Sequence, residues 1–130
     1  MHRRRFLQLA SVLALPLAAP PLGAFVPSSQ HPTPRKGITA AKVLHDADVP
    51  KEARDAYAAA REFPALFDGI YCHCDCASRH DELRSLLSCY ETRMPLDCGV
   101  CSGEGRLVGR LARQGKSLDE IRDAIDERYG

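Results

Sequence analysis

Three cysteines at alternate positions stand in the run Tyr71-Cys72-His73-Cys74-Asp75-Cys76, and no other feature restricts the fold as much. Neighbours in such a triplet pair badly, because the ring that a bond would close is small and strained. In an extended segment all three thiols point to one side. The spacing therefore predicts a wall of thiols that must meet partners from elsewhere in the chain. Three further cysteines, Cys89, Cys98 and Cys101, follow it, and none precedes Cys72.

Cys98-Gly99-Val100-Cys101 is a C-x-x-C unit. With Asp97 as cap, both thiols lie in the first turn of a helix, where unpaired N–H groups and the helix dipole favour thiolate over thiol. That setting suits a metal ligand and a redox nucleophile equally. Cys89 lies beside an apolar stripe and can face inward. His73 and His80 add nearby imidazoles, each of which also has a plain structural reading as a packing or helix-start residue. The candidate ligand set is Cys72, Cys74, Cys76, Cys89, Cys98 and Cys101 with His73 and His80. Concentrated thiolate is a preferred donor for soft ions, so the expected cofactor is Cu⁺ or Zn²⁺.

Two other readings of the same cysteines stay open. An even number of cysteines in an oxidising compartment is consistent with structural disulfides, in a module that only supports or docks. The C-x-x-C pair is also consistent with thiol–disulfide exchange, although the strand–helix setting of thioredoxin-like proteins is missing. The chain holds no H-E-x-x-H, phosphate loop or G-x-S-x-G. The reading favours a binding protein over an enzyme.

Around the cysteines the periodicity is helical throughout. Val49, Ala53, Tyr57 and Ala60 recur at helical spacing after Val49, Pro50 can open that helix, and Pro64 ends it. Leu83, Leu86, Leu87 and Tyr90 form a stripe in a helix expected over 80–90. Cys98, Cys101, Gly105, Val108 and Ala112 share a face in a third, which Gly99, Gly103 and Gly105 weaken at about 1 kcal/mol each. Ser117-x-x-Glu120 is a capping box before Leu118, Ile121, Ile125 and Tyr129. The acid pairs Asp119/Glu120 and Asp126/Glu127 read as solvated charges on the last helix. No segment alternates as a strand does. The fold class is all-α: about four helices around a cysteine cluster, with a thin core that gains from cross-links or a metal.

The N-terminus reads as an address. Arg3-Arg4-Arg5-Phe6-Leu7 leads into the Leu- and Ala-rich stretch 9–22 and the small residues Gly23-Ala24, in the manner of a twin-arginine export signal. Pro16, Pro20 and Pro21 break the apolar run, so a membrane anchor in the mature protein is not expected. The expected organisation is 1–24 signal peptide, 25–45 Pro/Ser-rich linker, 46–130 cysteine-rich helical domain. The expected location is the periplasm or the extracellular space. Net charge is +1 and falls to about −2 without Arg3, Arg4 and Arg5, which leaves no electrostatic footprint for nucleic acid. The partner expected is a metal ion; no protein partner is indicated.

Taken together, these motifs resemble the exported PCYCGC-motif proteins, also described as the CYCxC family, some of whose members carry selenocysteine. The family's Cys-Tyr-Cys-x-Cys falls on Cys72, Cys74 and Cys76, its following His and Cys on His80 and Cys89, and its Cys-Gly-x-Cys on Cys98, Gly99 and Cys101. Its ending is similar to Gly115-Lys116-Ser117-Leu118-x-Glu120-Ile121-Arg122, then Ile125-Asp126 and Tyr129. The resemblance covers about residues 55–130. His73 stands where the family has Tyr, Asp75 where it often has Gly, and Tyr71 where it often has Pro. Many members look like lipoproteins, whereas this chain has no cysteine near its expected cleavage region. The resemblance implies a common fold and a common thiol site, and no established activity.

Overall fold

The structure, a computed structural model, describes residues 30–130. The expected signal peptide lies outside the described residues. Among the described residues seven α-helices follow one another: α1 Arg54–Glu62, α2 Pro64–Asp68, α3 Cys76–Arg79, α4 Leu86–Tyr90, α5 Met94–Asp97, α6 Gly99–Arg113 and α7 Leu118–Tyr129. There is no strand among the described residues, so the all-α class holds. A 3₁₀ turn at Lys51–Ala53 leads from Pro50 into α1. Pro64 both ends the first helical run and occupies the first turn of α2, where its missing N–H costs nothing.

The 15-residue α6 is the central element, packed against α1, α5, α7, α2 and α4. Its glycines are contact points. A methyl on Gly105 would overlap the Tyr90 hydroxyl, and one on Gly109 would overlap the Ala59 side chain of α1. The low helix propensity of glycine is thus exchanged for close approach of neighbouring elements. Tyr57, Phe67 and Tyr90 form the aromatic centre, with Tyr57–Tyr90 and Phe67–Tyr90 ring centroids 4.7 and 5.4 Å apart, edge to face. Each buried hydroxyl is satisfied: Tyr57 donates to Thr92 O at 2.8 Å and Tyr90 to Cys101 O at 3.0 Å. Ile121 and Ile125 of α7 close the core, and the capping box of Ser117 and Glu120 forms as expected.

The helix expected over 80–90 is shorter than its apolar stripe. Residues 80–84 are coil and turn, and only Leu86–Tyr90 is helical. Ser85 is the reason. Its backbone is extended, its Oγ accepts from Ser88 N, and it donates to Asp68 Oδ1 at 2.9 Å. Asp68 is fully buried and also receives Arg35 through its backbone N, Nε and Nη2, and Arg84 through Nη1. Burial alone would raise the Asp68 pKa, but the hydrogen bonds from Arg35 and Ser85 and the Arg84 charge outweigh it and hold the carboxyl at about 2.

The same contacts fasten the segment expected to be a linker up to residue 45. From His31 onward it packs on the helices: Arg122 holds Pro32 O, Arg84 holds Thr33 O, and Val43 is buried in the core. The Pro-rich composition here marks a strap with few internal hydrogen bonds, held down by side chains of the domain.

Candidate functional site

The cysteine-bearing segments meet at the N-terminal end of α6. Cys98 is the N-cap of that helix, and its Sγ accepts from Cys101 N at 3.4 Å, taking the place of a capping oxygen. Asp97, expected in that role, instead ends α5. Cys101 sits one turn in and is fully buried. Cys89 projects inward from α4, and Cys72 lies in the coil after α2; both are buried.

The alternate-cysteine segment departs from the extended form. Asp75 has φ 61°, in the left-handed region that short Asp and Asn side chains tolerate. This folds the chain back so that Cys76 opens α3, and Cys74 and Cys76 are joined as a disulfide across Asp75, with Cα atoms 5.4 Å apart. The expectation that neighbouring members of the triplet do not pair fails here because it assumed an extended backbone. Cys72, Cys89, Cys98 and Cys101 are free.

All six sulfur atoms converge in two overlapping groups. Sγ of Cys74, Cys76, Cys98 and Cys101 lie within 4.8 Å of one another, as do those of Cys72, Cys89 and Cys101. Cys101 belongs to both, with its Sγ 3.2 Å from Cys72 and 3.3 Å from Cys74. Such close sulfur contacts alter the thiols themselves. The Cys101 neighbour raises the Cys72 pKa, and burial adds to it. At Cys89, Cys101 acts downward, but Cys72 and burial prevail and push the thiol up to about 12. Cys101 is lowered by Cys72 and raised by Cys89 and burial, with a net upward shift. At Cys101 the Cys89 sulfur and burial thus outweigh the preference for thiolate expected at the helix start. As a bare cluster the inner thiols stay protonated at neutral pH; a soft cation in their midst would replace the protons.

The two histidines take different places. His80 is exposed at the end of α3, with Nδ1 3.9 Å from Glu82 Oε1, and belongs to neither sulfur group. His73 turns away from the sulfurs. Its backbone N and its Nδ1 both meet Glu104 Oε1, at 3.0 and 2.8 Å, and its Nε2 lies 3.0 Å from Asp126 Oδ1. Asp126 also takes His31 Nε2 at 3.1 Å, while His31 Nδ1 accepts from Tyr71 N at 2.9 Å. The Tyr71 amide can only donate, so the His31 proton sits on Nε2, facing Asp126. Asp126, expected as a solvated charge, thus joins the strap, α7 and the cysteine segment.

Glu104 escaped the sequence reading. It sits on α6 three residues after Cys101, is fully buried, and has its pKa raised, chiefly by burial. Its Oε1 is doubly engaged by His73, and the nearby Cys72 thiol favours its ionised form, yet Oε2 has no hydrogen-bond partner among the described residues. The one available signal was an acidic residue next to Gly105, within the face that carries Cys101 and Val108.

No family model, no curated protein and no solved structure matches this chain. The chemistry of the site therefore carries the functional argument. No described helix is long and apolar enough to cross a membrane.

Proposed function

We propose that this chain is an exported binding protein for a soft metal ion, Cu⁺ or Zn²⁺, held by its cysteine cluster. One observation carries the reading: six sulfurs from three separate parts of the sequence gather within two overlapping 4.8 Å groups. Structural disulfides need only pairs, and pairs would be dispersed to tie distant elements. Gathering all the sulfurs in one place is the arrangement that thiolate-bound ions require. The twin-arginine-like N-terminus adds a rationale, since that export route carries proteins already folded around a cofactor. The resemblance to the PCYCGC-motif proteins supports the same thiol site.

A second reading has its own observation. The Cys101 sulfur lies 3.3 Å from Cys74, a position from which a thiolate can attack the Cys74–Cys76 disulfide. In that reading the cluster exchanges disulfides. Metal analysis of protein purified anaerobically from cells, with thiol titration, tests the choice. Bound Cu or Zn with all six thiols recovered on metal removal supports the binding protein. A metal-free protein that takes up neither ion after reduction refutes it.

A further inference from the structure

We infer that the cluster comprises two ion sites joined through Cys101 Sγ: an inner three-thiolate site for Cu⁺ and an outer four-thiolate site. This deepens the metal-binding reading and rests on it. A single ion binds three or four thiolates at about 2.3 Å, so it leaves two or three of the six sulfurs without a role. The sulfurs gather around Cys101. Cys72, Cys89 and Cys101 form one group and Cys74, Cys76, Cys98 and Cys101 the other, and the two groups adjoin, with Cys72 Sγ 3.3 Å from Cys74 Sγ. A thiolate sulfur has lone pairs enough to bridge two ions.

The inner group has a distinct character. Its cysteines are at most 3 % exposed, so water has little access to supply a fourth ligand. Three soft donors in a dry site suit Cu⁺ and leave Zn²⁺ short of its usual tetrahedron. Glu104 adjoins this site: its carboxylate is fully buried beside Cys72, with Oε2 lacking a hydrogen-bond partner among the described residues. The outer group includes the half-buried Cys74 and Cys98, so it is the side open to exchange. It is also the side that pairing of Cys74 with Cys76 removes, since Cys98 and Cys101 alone would remain, while the inner three thiols are untouched.

The test is the stoichiometry of Cu⁺ bound to the full-length chain under anaerobic conditions, read by native mass spectrometry in the presence of a competing Cu⁺ chelator. The reduced chain should hold two ions. A second sample is treated with oxidised glutathione, which accepts two electrons and the two thiol protons, giving one protein disulfide and two glutathione thiols. Molecules confirmed by peptide mapping to carry only the Cys74–Cys76 disulfide should hold one ion. This arm needs no substitution and so does not depend on a variant folding. Cys89→Ser, with its helix content checked by circular dichroism, should hold only the outer ion. One ion in the reduced wild type, or more than two, overturns the two-site inference while leaving metal binding intact. Loss of all copper on Cys74–Cys76 pairing also overturns it. No copper in any form, with no zinc uptake either, overturns the inference and the proposed function together.

Discussion

His73 presents its backbone amide and its Nδ1 to a single atom, Glu104 Oε1, at 3.0 and 2.8 Å. The amide belongs to the alternate-cysteine segment and the carboxylate to α6, so this pair sets where Cys72 and Cys74 stand relative to Cys101. Glu104 is a positioning residue for the sulfurs. Glu104→Ala should loosen the segment and weaken metal binding about 10–100-fold, the usual cost of losing a supporting contact around a metal site. Glu104→Gln keeps an oxygen for the His73 amide and should lose less. Competition with a chelator measures both variants. Equal affinity for wild type and Glu104→Ala would remove Glu104 from the account.

The contact between Gly105 and Tyr90 predicts a steric cost. Gly105→Ala places a methyl against the Tyr90 hydroxyl and ring, and overpacking of this kind costs about 1–3 kcal/mol. Tyr90→Phe alone should cost about 1 kcal/mol through the lost bond to Cys101 O. The double variant should recover part of the Gly105→Ala loss, because the hydroxyl is the nearest obstacle, although the ring remains. Urea melts of the four proteins give the coupling directly. Strict additivity would mean that the two positions do not meet.

Asp68 makes stability depend on acid. Its carboxyl is held at about 2 against an ordinary 3.8, so its folded pKa is depressed. The stability it contributes is present above pH about 4 and is lost as pH falls toward 2. At 1.36 kcal/mol per pKa unit this amounts to about 2 kcal/mol. Asp68→Asn should cost a similar amount at neutral pH and flatten the acid limb between pH 4 and 2. An unchanged acid limb in the variant would assign it to other carboxyls.

The cysteine cluster joins the segment 72–76, α4 and the start of α6, so its loss should be felt there first. Replacing both Cys74 and Cys98 with Ser keeps side-chain size nearly constant while removing two thiolates. Hydrogen exchange should then quicken between about residues 70 and 112, with smaller effects in α1 and α7. Uniform protection in the variant would show that the cluster does not support the fold.

The helical class, the capping box at Ser117 and the inward face of Cys89 were legible because each rests on contacts three or four residues apart. The rest depended on distant partners. Gly105 and Gly109 look like helix breakers until Tyr90 and Ala59 are seen to occupy the space they leave. The triplet Cys72, Cys74 and Cys76 reads as extended because its period is two, and the left-handed turn at Asp75 overrides that period. Ser85 shortens α4 through Asp68, seventeen residues earlier. Glu104 and Asp126 look like surface acids because the histidines they serve, His31 and His73, lie far away in sequence. The strap from His31 has no helical periodicity, and what holds it is distant in sequence: Arg84 and Arg122 on its carbonyls, Asp68 on Arg35 and Asp126 on His31.

Thermal melts of the purified wild-type protein, with a metal chelator alone and with a thiol reductant alone, test the central claim most directly. Metal binding and folding are linked when the ligands come from separate parts of a small domain. The account predicts that the chelator lowers the melting temperature and the reductant alone does not. A protein that resists the chelator and melts earlier in the reductant would contradict it and make the cluster a set of disulfides.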